Sequence, residues 1–334
     1  MEHFGVRSRL YSLWIWLGAA IYIVAALWAP PVLGQSFPQK PLRMIVPFAP
    51  AGPPDILGRV ISQKMAEGLG QPVIVENRVG AGGTIGSQAV AKAPPDGYTM
   101  LFASIASLGI SPALYPNVAY DPVSSFAPIS LVGTTSFVMF VHPSLPAKSL
   151  QELVALAKSK PGQLNYGAST SGTPPHLMME MFKSQAGVDI VGINYNASAA
   201  AVTALLAGHV QVVVDQFAAA LPLIAAGKVR ALVVTSEKRV KQLPDVPSAP
   251  EAGLPGFTAV SWFGVVAPRG TPNDIVKRLN AEIVKAIGMK DLSATLVKFG
   301  LEPAHSTPEQ FAAIIKADVP KWAAAVKSSG AKVQ

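Results

Sequence analysis

Residues 42–70 read LRMIVPFAPAGPPDILGRVISQKMAEGLG, and this stretch sets the architecture. Residues 42–48 are short, apolar and rich in branched side chains, which suits a strand buried on both faces of a parallel sheet. A turn of glycine and prolines follows. From 55 to 70, Ile56, Leu57, Val60, Ile61, Met65 and Leu69 fall on one helical stripe, and Gly70 stands just past its end. Asp55 reads as the helix N-cap or as a polar ligand contact. The same rhythm recurs along the chain. Strand-like runs lie at 72–77, 98–104, 191–195, 210–216 and 229–236. Helical stretches open with the capping box Ser149…Glu152, with Thr271 as cap before Pro272, and with Thr307, Pro308 and Gln310 ahead of a helix that Pro320 is expected to kink. Alternating strand and helix predicts a doubly wound α/β architecture.

Two longer extended stretches, 126–143 and 257–268, break this rhythm and flank a middle segment able to form its own α/β lobe. A chain that leaves one lobe and returns to it makes two crossings, and two crossings make a hinge.

The first 34 residues stand apart. Arg7 and Arg9 precede an uncharged apolar run from 10 to 29, and Val32-Leu33-Gly34 offers small residues at the exit. This layout is that of an export signal cleaved after Gly34 or after Ala29. The run is also long enough to span a bilayer, so an uncleaved N-terminal anchor is the alternative. Removing residues 1–34 from 334 leaves 300 residues, enough for two α/β domains. The net charge, +8 over the whole chain, is spread thinly with no basic run. That pattern argues against nucleic-acid binding and suits anionic small molecules. The chain has no cysteine, which excludes a disulfide scaffold and thiolate chemistry.

Two turns carry candidate chemistry. Residues 165–176, NYGASTSGTPPH, place Ser169, Thr170, Ser171, Gly172 and Thr173 between a strand and a helix whose first turn holds two prolines. One reading is a serine hydrolase elbow using Ser169 or Ser171 with His176. The motif lacks the second glycine of G-x-S-x-G, because Gly167 is followed four residues on by Ser171. The other reading is an anion cradle of backbone amides and hydroxyls at a positive helix end; a plainly capped helix start fits the pattern equally well. Residues 46–55 repeat the strand–turn–helix layout and offer a second cradle. Residues 75–90 contain Gly80, Gly82 and Gly83, but Ile85 occupies the third position of a dinucleotide fingerprint, so close packing and a tight turn explain them better. Asp215 ends an apolar strand, and Tyr195 and Ser198 follow another; both are places where α/β folds present side chains to ligands. Met178, Met179 and Met181 read as core. His176 and His209 are isolated, no spacing suggests a metal site, and no cofactor is expected.

Segments 37–59, 69–102, 143–168, 227–257 and 267–287 together resemble the Bug-type extracytoplasmic solute receptors, the substrate-binding proteins of tripartite tricarboxylate transporters. The resemblance covers essentially all of 37–330. It implies a two-lobed periplasmic binding protein (type II, Venus flytrap), each lobe a doubly wound sheet, with 35–138 plus 260–334 as one lobe and 139–259 as the other. It implies no catalysis. The implied ligand is a small organic acid held by amides, hydroxyls and waters, and the implied partners are integral-membrane permease subunits or a sensor protein. Carried over residue by residue, the site comprises Phe48, Pro50, Ala51, Gly52 and Asp55 from the first turn. Ser169, Thr170, Ser171, Gly172 and Thr173 come from the second, with Ser104, Tyr195, Ser198 and Asp215 lining the cleft. Two departures stand out: Pro53-Pro54 replaces a hydroxyl-bearing turn, and Asn194, Asn196 and Ala197 surround Tyr195 where proline, lysine and glycine are usual. Both point to a ligand unlike the family's better-known ones.

Overall fold

The computed structural model describes residues 37–169 and 171–331. The export-signal reading of residues 1–34 and the Thr170 assignment lie outside the described residues.

The opening stretch folds as its pattern requires. Strand β1 (Leu42–Val46) is buried except at Arg43. It pairs in parallel with β2 (Val73–Asn77) on one side and β3 (Thr99–Ser104) on the other. Helix α1 (Pro53–Leu69) connects the first two strands and buries Leu57, Ile61, Met65 and Leu69, one per turn. It approaches the sheet closely at Gly58, where an added Cβ would sit 2.8 Å from the Val46 side chain. Gly70 ends the helix in the left-handed region at φ 69°, donating its N–H to Ala66 O. A short helix α2 (Thr84–Ala91) leads to β3, and a wide π-helical turn (Ile105–Ile110) and α3 (Ser111–Leu114) follow that strand.

The sixteen-residue β4 (Phe126–Val141) organises the rest. From Phe126 to Ser136 it pairs antiparallel with β9 (Val260–Pro268), which in turn pairs with β3. From Phe137 onward the same strand pairs with β7 (Val212–Gln216), and β8 (Arg230–Val234) also pairs on it. Beyond β7 the order continues in parallel through β5 (Asn165–Ala168) to β6 (Val191–Asn194). The two-residue β10 (Glu302–Pro303) completes the ladder on β4. Each half is therefore an α/β layer with parallel strands at its outer side and antiparallel strands at the centre, the two-lobed architecture. Helices α4 (Leu150–Ser159), α5 (Pro174–Ala186), α6 (Ser198–Leu206) and α7 (Phe217–Ala225) follow in the second half; α8 (Asn273–Ile287), α9 (Lys290–Lys298) and α10 (Pro308–Ser329) follow β9.

Where the chain passes between the halves, buried Thr235 ties both crossings together. Its hydroxyl accepts from the Phe137 amide (2.9 Å) and donates to Ala259 O (2.6 Å). Its backbone N–H donates to Phe137 O, and its carbonyl accepts from the Ala259 amide.

Several local expectations need correcting. Gly52, not Asp55, is the N-cap of α1, because Pro53 and Pro54 already occupy its first turn and Asp55 lies inside the helix. Thr271 does not cap α8: its hydroxyl turns back to Pro268 O, and Pro272 holds the cap position. The box at Ser149 is half formed, since Ser149 accepts from Glu152 N while the Glu152 carboxylate takes the Lys148 amide instead. Helix α10 has its full Thr307–Gln310 box and runs as one element through Pro320. Strands β2 and β6 lie at the two ends of the sheet and are only partly covered, unlike the central strands.

Candidate functional site

The first turn, after β1, is held from inside. The Asp55 carboxylate accepts from the Ala51 amide (2.9 Å) and Arg59 Nε (3.0 Å) on one oxygen and from Asn77 Nδ2 (2.8 Å) on the other. Asn77 Nδ2 also donates to Phe48 O. Burial by itself would raise the Asp55 carboxyl, but the hydrogen bonds from Arg59, Asn77 and Ala51 outweigh it and hold the group below the usual carboxylate range. Asp55 thus shapes the turn. It lets Ala51 adopt φ 62°, a left-handed conformation rare for a residue with a side chain. The donors this turn offers are few. The Ala51 amide is spent on Asp55 and the Gly52 amide on Ala49 O, and prolines 50, 53 and 54 have no N–H.

The end of β3 is also committed internally. Buried Ser104 accepts from the Ser107 amide, and Ser107 Oγ accepts from the Ser104 amide. This reciprocal cap opens the π-helical turn, which carries Ala106, Ile110 and Ser111 into a cavity wall. Gly82 joins them. Residues 80–83 run through positive φ, and Gly82 (φ 63°) is gripped by Ser111 Oγ, which donates to its carbonyl at 2.8 Å.

The second turn faces them. Ser169 Oγ and Thr173 Oγ1 are 2.8 Å apart. Gly172, at φ 82°, donates its N–H to His176 Nδ1 at 3.3 Å. The Leu114 side chain from the first half lies so close that a Cβ on Gly172 would meet it at 2.5 Å. Thr173 then caps α5 in extended conformation, with Pro174 and Pro175 in the first turn.

These elements enclose a cavity of about 550 Å³ walled by both halves. Phe48, Gly82, Ser111 and Tyr115 come from the first half; Ser171, Gly172, Thr173 and Tyr195 come from the second. A neighbouring cavity of about 570 Å³ lies in the second half, lined by Ser169, Ser198, Asp215 and Gln216 and sharing Pro174 with the first. There Ser198 Oγ donates to Asp215 Oδ2 at 2.5 Å and the Gln216 amide to Oδ1 at 2.7 Å. Burial raises the Asp215 carboxyl above its ordinary value, more than those two donors lower it. Among the described residues, no lysine or arginine lines either cavity.

The residues expected at the site thus divide. Phe48, Ser171, Gly172, Thr173 and Tyr195 share the inter-half cavity; Ser169, Ser198 and Asp215 share the second; Pro50, Ala51, Gly52, Asp55 and Ser104 line neither. For the hydrolase reading, Ser169 pairs with Thr173 and His176 Nδ1 accepts from Gly172, so among the described residues no Ser169–His176 couple forms. Among the described residues no group of three or more metal-ligating side chains comes together.

Comparison with known proteins identifies the family. Residues 57–331 match the model of the tripartite tricarboxylate transporter family receptor (TctC). The chain belongs to this receptor family. It is similar to protein BugT of Bordetella pertussis, 38% identical over 315 residues that cover 94% of this chain and 97% of BugT. Among solved structures it is similar to Rpa4515 of R. palustris with adipate (34% identity, TM-score 0.70, 89% of this chain and 99% of that one). It is also similar to MatC from Rhodopseudomonas palustris with bound malate (34% identity, TM-score 0.68, 87% and 100%). The family is one of receptors rather than enzymes. Among the described residues of this receptor no helix is long and apolar enough to cross a membrane.

The receptor's wall also contains residues outside the expected site: Gly82, Ala106, Ile110, Ser111, Leu114 and Tyr115. For Gly82 the run of glycines signals a tight turn but not its position beside the cleft. Asn194 and Asn196, the departures around Tyr195 that point to a different ligand, line the cavity. Ser111 and Tyr115 reach the cavity from α3 and its C-cap, placed there by the preceding π-helical turn, which no residue pattern announces.

Proposed function

We propose that this receptor captures a small organic acid in the cavity between its halves and delivers it to integral-membrane permease subunits. The observation that carries this reading is the 550 Å³ cavity, walled by both halves, in which hydroxyls and side-chain amides stand among apolar groups and no lysine or arginine of the described residues takes part. Hydrogen bonds to a charged partner contribute about 1.5–3 kcal/mol each. A handful of them supports tight binding while avoiding the desolvation cost of a buried lysine or arginine. The adipate and malate in the related structures support a ligand with at least one carboxylate.

In this reading Ser171, Thr173 and Tyr195 of the second half, with Ser111 and the peptide groups near Phe48 and Gly82, contact the ligand, and Asp55 and Ser104 position the loops. Ser198 and Asp215 line an extension that accepts a neutral or hydrogen-bond-donating end of the molecule, since a second carboxylate beside Asp215 would meet a like group. The lobes run over 35–138 plus 260–334 and 139–259. Ligand bridging both favours their closure. Export by the N-terminal signal places the receptor in the periplasm.

The test is mass spectrometry of small molecules released from the purified protein, followed by calorimetry with the acid found and with adipate and malate. The expected ligand carries a carboxylate, and Ser171→Ala and Thr173→Ala weaken it without lowering the melting temperature by more than a few degrees. A ligand lacking any acidic group, or affinity unchanged in both variants, refutes the proposal.

A further inference from the structure

The second turn is tied to a titratable group that the binding reading leaves without a role. His176 is buried in the first turn of α5, with its Nδ1 accepting the Gly172 N–H at 3.3 Å. An acceptor Nδ1 places the ring proton of neutral imidazole on Nε2. Gly172 lies between Ser171 and Thr173, all three lining the cavity. The bond draws the Gly172 amide toward the helix, and the Ser169–Thr173 hydroxyl pair pins the other side of the turn.

We propose that His176 is a positioning residue: its neutral Nδ1 anchors the Gly172 amide to α5 and so aims Ser171 and Thr173 at the acid in the cleft. This rests on the carboxylate-binding reading above and adds its regulation by protons. Protonation makes both ring nitrogens donors. An N–H then opposes the Gly172 N–H, the tie is lost and the turn loosens.

The surroundings favour the neutral ring at neutral pH. Burial lowers the imidazole below its ordinary value; Glu180 opposes this and Lys183 reinforces it, both from the same helix. Glu180 is itself committed, accepting from Tyr166 Oη (2.6 Å) and Lys183 Nζ (2.8 Å) on one oxygen. Helix α5 packs against α10, β7, β5 and the turn at Pro255–Phe257. Those neighbours carry Glu309, Lys316, Asp318, Lys321 and Lys327 on α10, Asp215 on β7 and Tyr166 on β5, while the turn carries no charge. The neutral ring, and with it the tie, is therefore favoured at neutral pH and lost on acidification below the ordinary histidine range. Affinity for the acid falls with it. A histidine gripping the acid by its own positive charge would give the opposite slope.

The test uses the mature protein with malate and adipate as probes, by calorimetry from pH 7.5 to 5. His176→Asn supplies Oδ1 in place of Nδ1 and does not titrate; His176→Phe fills the site without an acceptor. We expect His176→Phe to bind at least tenfold more weakly at pH 7.5, about 1.4 kcal/mol. His176→Asn should stay within about threefold of the unaltered protein there, and its profile should lack the acid loss. Amide exchange by NMR reads the tie without ligand: Gly172 should be protected in the unaltered protein and in His176→Asn, and not in His176→Phe. If neither probe binds the unaltered protein, the carboxylate reading fails and this proposal with it. If a probe binds but is indifferent to His176→Phe, or binds more tightly as pH falls relative to His176→Asn, only the present proposal is overturned.

Discussion

Replacing Thr235 by valine probes the junction of the two halves through a single hydroxyl. Thr235 is fully buried, and its Oγ1 serves two backbone groups, the Phe137 amide at 2.9 Å and Ala259 O at 2.6 Å. Valine keeps the shape and the backbone bonds that Thr235 makes to both crossings but strands those two polar groups. A buried donor or acceptor without its partner costs about 1–3 kcal/mol. Two of them, partly relieved by local adjustment, should lower stability by about 2–4 kcal/mol. Thr235→Ser keeps the hydroxyl and removes one methyl, a loss of about 1 kcal/mol. Urea unfolding at 25 °C with unchanged slope, so that the midpoint reports stability, should rank the proteins unaltered, then serine, then valine. Valine equal to or more stable than serine would refute the reasoning, because it would mean the hydroxyl does not hold the crossings.

Three further perturbations follow from the site. Asp215 has a higher pKa folded than unfolded, so the folded state binds that proton more tightly: its ionisation destabilises at neutral pH, and stability from this group rises as pH falls through the folded value and levels off below the unfolded one. Asp215→Asn should therefore raise the melting temperature at pH 7, with the advantage vanishing near pH 4; an advantage that persists there would contradict this. Asp55 is opposite in sign, its pKa lowered, so its contribution is present above the unfolded value and lost as pH falls through the folded one. Asp55→Ala should cost about 2–4 kcal/mol at pH 7, since bonds to a buried carboxylate are lost together, and denaturant melts at pH 7 and pH 3 should show the difference shrinking. Gly172→Ala meets both a left-handed backbone and Leu114 at 2.5 Å, a strain of about 1–2 kcal/mol from the backbone alone. Leu114→Ala should recover part of the loss in a double-mutant cycle read by calorimetry and thermal melts, whereas strict additivity would place the contact elsewhere.

Much of this was legible in residues alone because the period of burial changes cleanly. The apolar run at 42–48 and the four-residue spacing of Leu57, Ile61, Met65 and Leu69 admit only a strand and then a helix. The stretch at 126–143 is extended by its residue pattern and forms one strand over Phe126–Val141, but its change of partner between Ser136 and Phe137 depends on β7 and β9, far away in sequence. Caps were less legible. Thr271 and Asp55 are good cap types, yet neighbouring prolines moved the helix starts and each side chain found a nearer partner. At the site, hydroxyl-rich turns were identifiable by composition, but which amides remain for a ligand was not. The Gly172 N–H turns to His176 and the Ala51 N–H to Asp55, choices made by tertiary geometry rather than by spacing. The division of Ser169 and Asp215 from Ser171 and Tyr195 into adjoining chambers likewise has no sequence mark.

Because β4 supplies rungs to both sheets, neither layer owns it. A gene cut within 126–141 would give each product a truncated central rung and an exposed ladder edge, the feature that invites strands to pair with the wrong chain. Exchange of whole layers between relatives is therefore constrained: any recombinant has to inherit this strand intact, together with its partners on both sides, if the product is to fold.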